Sequence, residues 1–117
     1  MTGTPARLPT KLWVDALLRR ANLSGAGGFV LRSGDADRGD VLVKVATLDG
    51  EAALYAPGTS LEGARIFLNL ALQGVGPAEG EVDAYIERAR SRDPDIWIVE
   101  IEDKLGRHFL TEPVDGP

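Results

Sequence analysis

Cysteine is absent from this chain, histidine and methionine occur once each, and no apolar run approaches the length of a membrane-spanning helix. Without cysteine there can be no disulfide, no thiolate metal site and no cysteine nucleophile, and a reducing cytoplasm is the simplest setting. The lone histidine, His108, has no nucleophile placed near it by any motif, so catalysis of the Ser-His-Asp kind has no support. The first residues, MTGTPARLP, carry no apolar stretch of the sort a signal peptide needs, which leads to the expectation of a cytoplasmic protein away from the membrane. A basic excess is missing too. With 13 Lys and Arg against 18 Asp and Glu, the formal charge is -5 and the pI is near 4.8, so nucleic acid is not expected as a partner. Internal repeats and low-complexity tracts are also lacking.

What is present suits one compact domain over residues 1–117, with 1–9 expected as a flexible arm and 113–117 as a flexible tail. A chain of this length hides roughly two-thirds of its unfolded surface on folding, and 44% hydrophobic residues are enough to fill one core. From Thr10, a potential cap, to about Ala21, polar Lys11, Asp15, Arg19 and Asn22 recur at helical spacing while apolar residues fill the remainder. A second helix follows Pro77. Glu79 and Glu81 suit its N-terminal dipole, Arg88 and Arg90 its C-terminal end, and Ala78, Val82, Tyr85, Ile86 and Ala89 its buried stripe.

Strands are expected from Phe29 to Leu31, Val41 to Leu48, Glu51 to Tyr55, Arg65 to Leu70, Asp95 to Glu102 and His108 to Leu110. Asp49-Gly50 reads as a two-residue turn. With Leu48 opposite Glu51, Val43, Val45, Ala52 and Leu54 share one face, and Lys44 lies across from Tyr55 on the other. That pair is either an alkyl stem packed on a ring or a small ion-binding spot. In the last hairpin Trp97, Val99 and Ile101 share one face, and Ile98, Glu100 and Glu102 the other. A turn at Asp103 to Gly106 would then set His108 opposite Glu102, raising the imidazole pKa.

The segment GAGGFVL runs from a helix into a strand, the reverse of a phosphate-binding glycine loop, and is read as a helix stop and turn. The stretch RSGDADRGD, between two apolar runs, is read as a solvated hairpin connection. Asp35 and Asp37 are its weak metal candidates, because a calcium loop starting there would need glycine at Asp40 and glutamate at Ala46. Arg32 and Arg38 make the same loop a candidate binding place. Catalytic candidates are equally weak: Asp95, Glu100, Glu102 and His108, with the acidic run from Asp93 to Asp103 offering a carboxylate-based hydrolase, with or without a divalent metal, as the alternative function.

The pieces RLPTKLWVDALLRRAN, GDVLVKVATLDG and, above all, DPDIWIVEIEDKLGRHFLTEP resemble an uncharacterised bacterial family, found chiefly in alphaproteobacteria and known as domain of unknown function 1491. The resemblance implies a cytosolic bacterial setting and brings no activity, cofactor, partner or site residue with it.

The fold expected is α+β, an antiparallel sheet of five or six strands, as a meander plus a C-terminal hairpin, with both helices on one face. The function expected is a non-catalytic interaction or assembly module without a cofactor, binding itself, as a homodimer, or another protein. Ile98 and Leu110 are its candidate interface residues, on the assumption that they lie on the sheet face away from the helices.

Overall fold

The computed structural model describes residues 8–116. Among them, helix α1 (Thr10–Leu23) precedes strands β1 (Gly27–Arg32), β2 (Val41–Ala46), β3 (Ala52–Thr59) and β4 (Arg65–Asn69). A short 3-10 turn (Leu70–Gln73) then leads to helix α2 (Glu79–Arg92) and strands β5 (Trp97–Glu102) and β6 (Val114–Asp115). The six strands form one mixed sheet in the order β1-β5-β2-β3-β4-β6, in which β2–β5 and β4–β6 are parallel pairs and the other three are antiparallel. The chain is thus α+β with two helices, as its sequence suggests, but the sheet is not purely antiparallel.

β5 decides the topology. Its alternating residues are apolar on both faces at Trp97, Ile98, Val99 and Ile101, a pattern suited to the inside of a sheet, and it lies between β1 and β2. RSGDADRGD therefore connects strands that do not touch, instead of closing a hairpin. It docks on the chain leading into β5: Asp35 N donates to Asp95 O at 2.9 Å, Trp97 Nε1 to Asp35 O at 2.7 Å and Trp97 N to Asp40 O at 2.8 Å. A Cβ at Gly34 or Gly39 would overlap the Asp95 carbonyl, which is why glycine stands at both positions. The same loop completes α1, whose amides Thr10 N and Lys11 N donate to Asp37 O and Ala36 O. Thr10 is accordingly a buried first-turn residue, its hydroxyl bound to Gly39 O at 2.8 Å, and not the expected cap.

The helices pack on opposite faces of the sheet. Val14, Leu17 and Ala21 of α1 join a core with Val43, Val45, Tyr55, Trp97, Val99 and Ile101, whereas Val82, Ile86 and Ala89 of α2 join Leu42, Leu54, Ile96 and Ile98. Neighbouring strand residues point to opposite faces, so Val43 and Leu42 cannot serve the same helix. The placement of both helices on one face is thereby corrected. With it goes the exposed apolar face: Ile98 is 2% exposed beneath α2, and Leu110 packs half-buried against the α1-side core.

Two register expectations are also corrected. Thr47 N donates to Glu51 O around a three-residue loop in which Leu48 and Gly50 both have positive φ. The extra loop residue pairs Lys44 with Leu54 and Val43 with Tyr55. One residue of slip turns every β3 side chain over, so Tyr55 faces α1 while Lys44 faces α2. After β5, no strand returns beside it, because β1 and β2 occupy both its edges. The chain instead crosses the α1 side, where Phe109 O accepts from the Arg20 guanidinium and Glu112 from Trp13 Nε1 at 2.7 Å. It ends as β6, so residues 114 and 115 of the expected tail belong to the sheet, while residues 1–7 of the expected arm and residue 117 lie outside the described residues.

Candidate functional site

Lys44 is the one buried lysine among the described residues, at 4% exposure, and its position follows from its strand. Val43 and Val45 belong to the α1-side core, so the alternation of β2 sends Lys44 toward α2. There its ammonium meets Glu79 Oε2 at 2.6 Å, Asp83 Oδ1 at 2.8 Å and Glu100 Oε1 at 3.4 Å. Glu79 and Asp83 lie one helical turn apart at the start of α2, and Glu100 is the direct neighbour of Lys44 across the parallel β2–β5 ladder. An unpaired ammonium at this depth would cost several kcal/mol, which explains why carboxylates from two elements converge on it.

The electrostatics follow from that count. Burial alone would lower the Lys44 pKa, but hydrogen bonds to Asp83 and Glu79 and the charge of Glu100 outweigh it, and the net shift is upward. The amine stays protonated at neutral pH, so it is a charge hub and not a nucleophile of the imine-forming kind. For Glu100, burial raises the pKa, Lys44 opposes, and the Glu102 carboxylate beside it, which repels its charge and accepts from its protonated form, adds to the rise, leaving it above the usual carboxylate value. One ammonium against three carboxylates leaves two formal negative charges over, on a surface where Asp83 and Glu79 remain partly open to water.

This acidic patch borders an uncovered part of the sheet. Phe29, Glu100, Lys44 and Leu54 form one row across β1, β5, β2 and β3 on the α2 side. α2 packs over β2 and β3, whereas among the described residues α1 packs on the other face of β1 and no helix lies over the β1 end of that row. A groove of about 150 Å³ opens there between α2 and β1, lined by Leu31, Arg32, Asp83, Ile86, Glu87, Arg90 and Ile98. Beyond it, β1 is the outermost strand, and Phe29, Val30 and Leu31 are 46%, 41% and 55% exposed in succession.

Of the residues singled out in the sequence, Lys44, Glu100 and Glu102 come together here and Arg32 lines the groove. The Arg32 guanidinium reaches Ile96 O and Pro94 O at 3.2 and 3.1 Å, fastening the end of β1. The other candidates are dispersed. Asp95 precedes β5, with its amide on Asp93 Oδ1. Asp103 follows β5, held near a pKa of about 2 by the Arg107 guanidinium. Six residues of strand separate the two, so the acidic run from Asp93 to Asp103 does not converge on one point. Asp35 accepts the amides of Arg38 and Asp37, which lower its pKa and close a local turn with Arg38 on its exposed rim. Among the described residues, no group of three or more His, Asp or Glu is arranged to hold a metal. The contributions of Glu79 and Asp83 were hidden in a helix whose acidic start already had a dipole explanation. Their spacing with Glu87, every four residues, was the available signal.

His108 and Tyr55 meet on the α1 side, edge to face at 5.1 Å, with Glu102 on the opposite face of the sheet. Burial lowers the imidazole pKa, the reverse of the rise expected from a Glu102 pairing. The geometry agrees, since Nδ1 accepts the Leu110 amide at 2.9 Å and only an unprotonated nitrogen can do so.

Two outcomes are expected. Lys44→Met should lower the unfolding free energy by about 1–3 kcal/mol, discounted from a fully buried pair because two of its carboxylates reach water. Adding Glu100→Gln should recover part of the loss in urea titrations; full stability of the single variant would contradict the hub. By NMR titration, His108 should have a pKa below the ordinary 6.5, unchanged by Glu102→Gln. A depressed histidine pKa contributes stability above the unfolded value that is lost as pH falls through the folded one, so stability should decline on acidification below about 6.5. A pKa at or above 6.5 would contradict the burial.

Comparison with known proteins agrees with the fold. A crystal structure of a DUF1491 family protein from Caulobacter crescentus CB15 is 50% identical, with a TM-score of 0.85, over 93% of this chain and 100% of that one. An NMR structure of a DUF1491 family protein from the same organism is 49% identical, with a TM-score of 0.83, over 96% and 100%. The solution structure of protein Atu0922 from A. tumefaciens is 33% identical, with a TM-score of 0.75, over 96% and 98%. No curated protein matches. Residues 8–111 match the family described as "Protein of unknown function (DUF1491)", and the chain belongs to that family.

Proposed function

We propose that the protein is a non-catalytic interaction module of the bacterial cytoplasm, which takes up a partner polypeptide as an added strand along β1. One observation carries the reading: β1 is an outer strand with three consecutive apolar residues open to water. Outer strands expose unpaired N–H and C=O groups, and proteins usually blunt them with charge, proline or brevity. The opposite edge is treated in that way, since β6 has only two residues and follows Pro113. β1 has six residues and no proline; its single charge, Arg32, is turned onto carbonyls of the neighbouring turn, and its register irregularity falls after Val30, leaving Gly27 to Val30 regular. Strand addition supplies backbone hydrogen bonds, and the groove beside α2 offers a place for alternate side chains. The lack of cysteine suits the cytoplasm, and among the described residues no helix is long and apolar enough to cross a membrane. The surplus of carboxylates beside β1 disfavours nucleic acid as the partner.

A photo-cross-linking residue placed at Phe29 in native cells, with one at exposed Leu72 as reference, tests the proposal. Position 29 should give adducts of defined mass that Val30→Lys abolishes, and position 72 should not. An adduct at twice the chain mass would identify the partner as a second copy. Equal labelling from both positions, or none from either, would contradict the proposal.

A further inference from the structure

We infer that the strand accepted along β1 is cationic, with a lysine or arginine two residues from an apolar side chain on the side facing α2. This rests on the strand-addition reading and deepens it. An added strand would lie about 4.8 Å outside β1 and about 10 Å from β5. Its side chains would alternate between the two faces, so residues i and i+2 look onto the same open floor. At one end that floor is apolar, where Leu31, Ile98 and Ile86 line the groove of about 150 Å³. One step along β1 toward Gly27 it becomes Phe29, whose neighbour on β5 is Glu100, with Glu102 next on the same face.

A four-carbon stem can cover the Phe29 ring and carry its charge to these carboxylates, the usual way long cationic side chains lie over apolar surface. An aromatic face beneath the stem favours a cation further. The charge needed is present: the carboxylates gathered around Lys44 outnumber its single positive charge, and the half-exposed Asp83 belongs both to that network and to the groove wall. An acidic segment would face net repulsion at the same place, since of the two cations in the groove wall Arg90 is paired with Glu87 and Arg32 is held on Ile96 O and Pro94 O. The β1 strand of a second copy carries one cation, Arg32, already held on Ile96 O and Pro94 O, and so leaves the surplus unanswered.

The probe is a set of blocked eight-residue peptides that alternate threonine with one valine and three lysines, compared with versions carrying glutamine or glutamate for lysine. Each is titrated into the isotopically labelled full chain. The lysine peptide should move the amide resonances of β1 and bind at least about tenfold more tightly than the glutamine peptide, with affinity falling as salt is added. The glutamate peptide should not bind. Asp83→Asn combined with Glu102→Gln should weaken the lysine peptide about three- to tenfold and leave the glutamine peptide unchanged. Equal binding of lysine and glutamine peptides at β1 would overturn the charge inference while strand addition stands. Shifts confined to α2, or none with any peptide, would overturn strand addition itself, and concentration-dependent broadening of β1 without peptide would assign the edge to a second copy.

Discussion

The insertion of β5 between β1 and β2 is the constraint on which the remainder of the structure depends. Once both edges of β5 are paired, antiparallel on one side and parallel on the other, the sequence after Glu102 has no edge there to return along. It is diverted across the α1 side to the far end of the sheet, where it becomes β6. The same insertion pushes β1 to the outside and brings Glu100 beside Lys44. A parallel β2–β5 pair also requires a long connection, and β3, β4 and α2 supply it. α2 is thus delivered to the opposite face from α1.

The two faces are covered unequally. On one, α1 lies over β1 and β5, while Phe109, Leu110 and Val114 close the β3 and β4 side, so the core is continuous. On the other, α2 lies over β2 and β3, and nothing in the described chain covers the α2 side of β1. The boundary between covered and open sheet runs through Lys44. A charge there is tolerated because the helix brings its own carboxylates, Glu79 and Asp83, and the strand beside it brings Glu100. Ion pairs at such depth contribute little net stability against an apolar alternative, since desolvation offsets much of the attraction. Their consequence here is to fix which helix faces which strand and to leave the open border acidic.

Much of this was legible in the sequence, and the failures share a cause. Both helices and most strands follow from periodicity, and the division of β5 into Trp97, Val99 and Ile101 against Ile98, Glu100 and Glu102 survives intact, because side-chain alternation is local. Pairing is not local. Hairpins are the default between successive strands, and that default hid the parallel β2–β5 ladder and the separation of β1 from β2. Glu100 and Glu102 suggested a wet face, but Lys44 of β2 answers Glu100 and α2 packs over the same face, so Ile98 is buried where it was expected to be open. The slip at Asp49-Gly50 came from one additional loop residue, Leu48 in a left-handed conformation, a geometry that a non-glycine residue gives little sign of adopting. Asp35 and Asp37, suggestive of a metal loop, use backbone carbonyls to receive Trp97 and cap α1, while the Asp35 carboxylate closes the local turn.

The candidate site was visible only in parts. Sequence spacing singles out Lys44, Glu100 and Glu102 in separate contexts, gives Glu79 a helix-dipole role, passes over Asp83 and places Phe29 in an ordinary strand. What joins them is the row across β1, β5 and β2, which no sequence spacing encodes. The most direct measurement of the outer position of β1 is residue-resolved amide hydrogen exchange of the free protein in its native state. With β1 at an open edge, β5 and β2 amides should exchange most slowly, and protection along Gly27 to Val30 should alternate, with inward N–H groups slow and outward ones fast. Uniformly slow exchange along β1 would show that its outer edge is already paired, and would contradict the open edge.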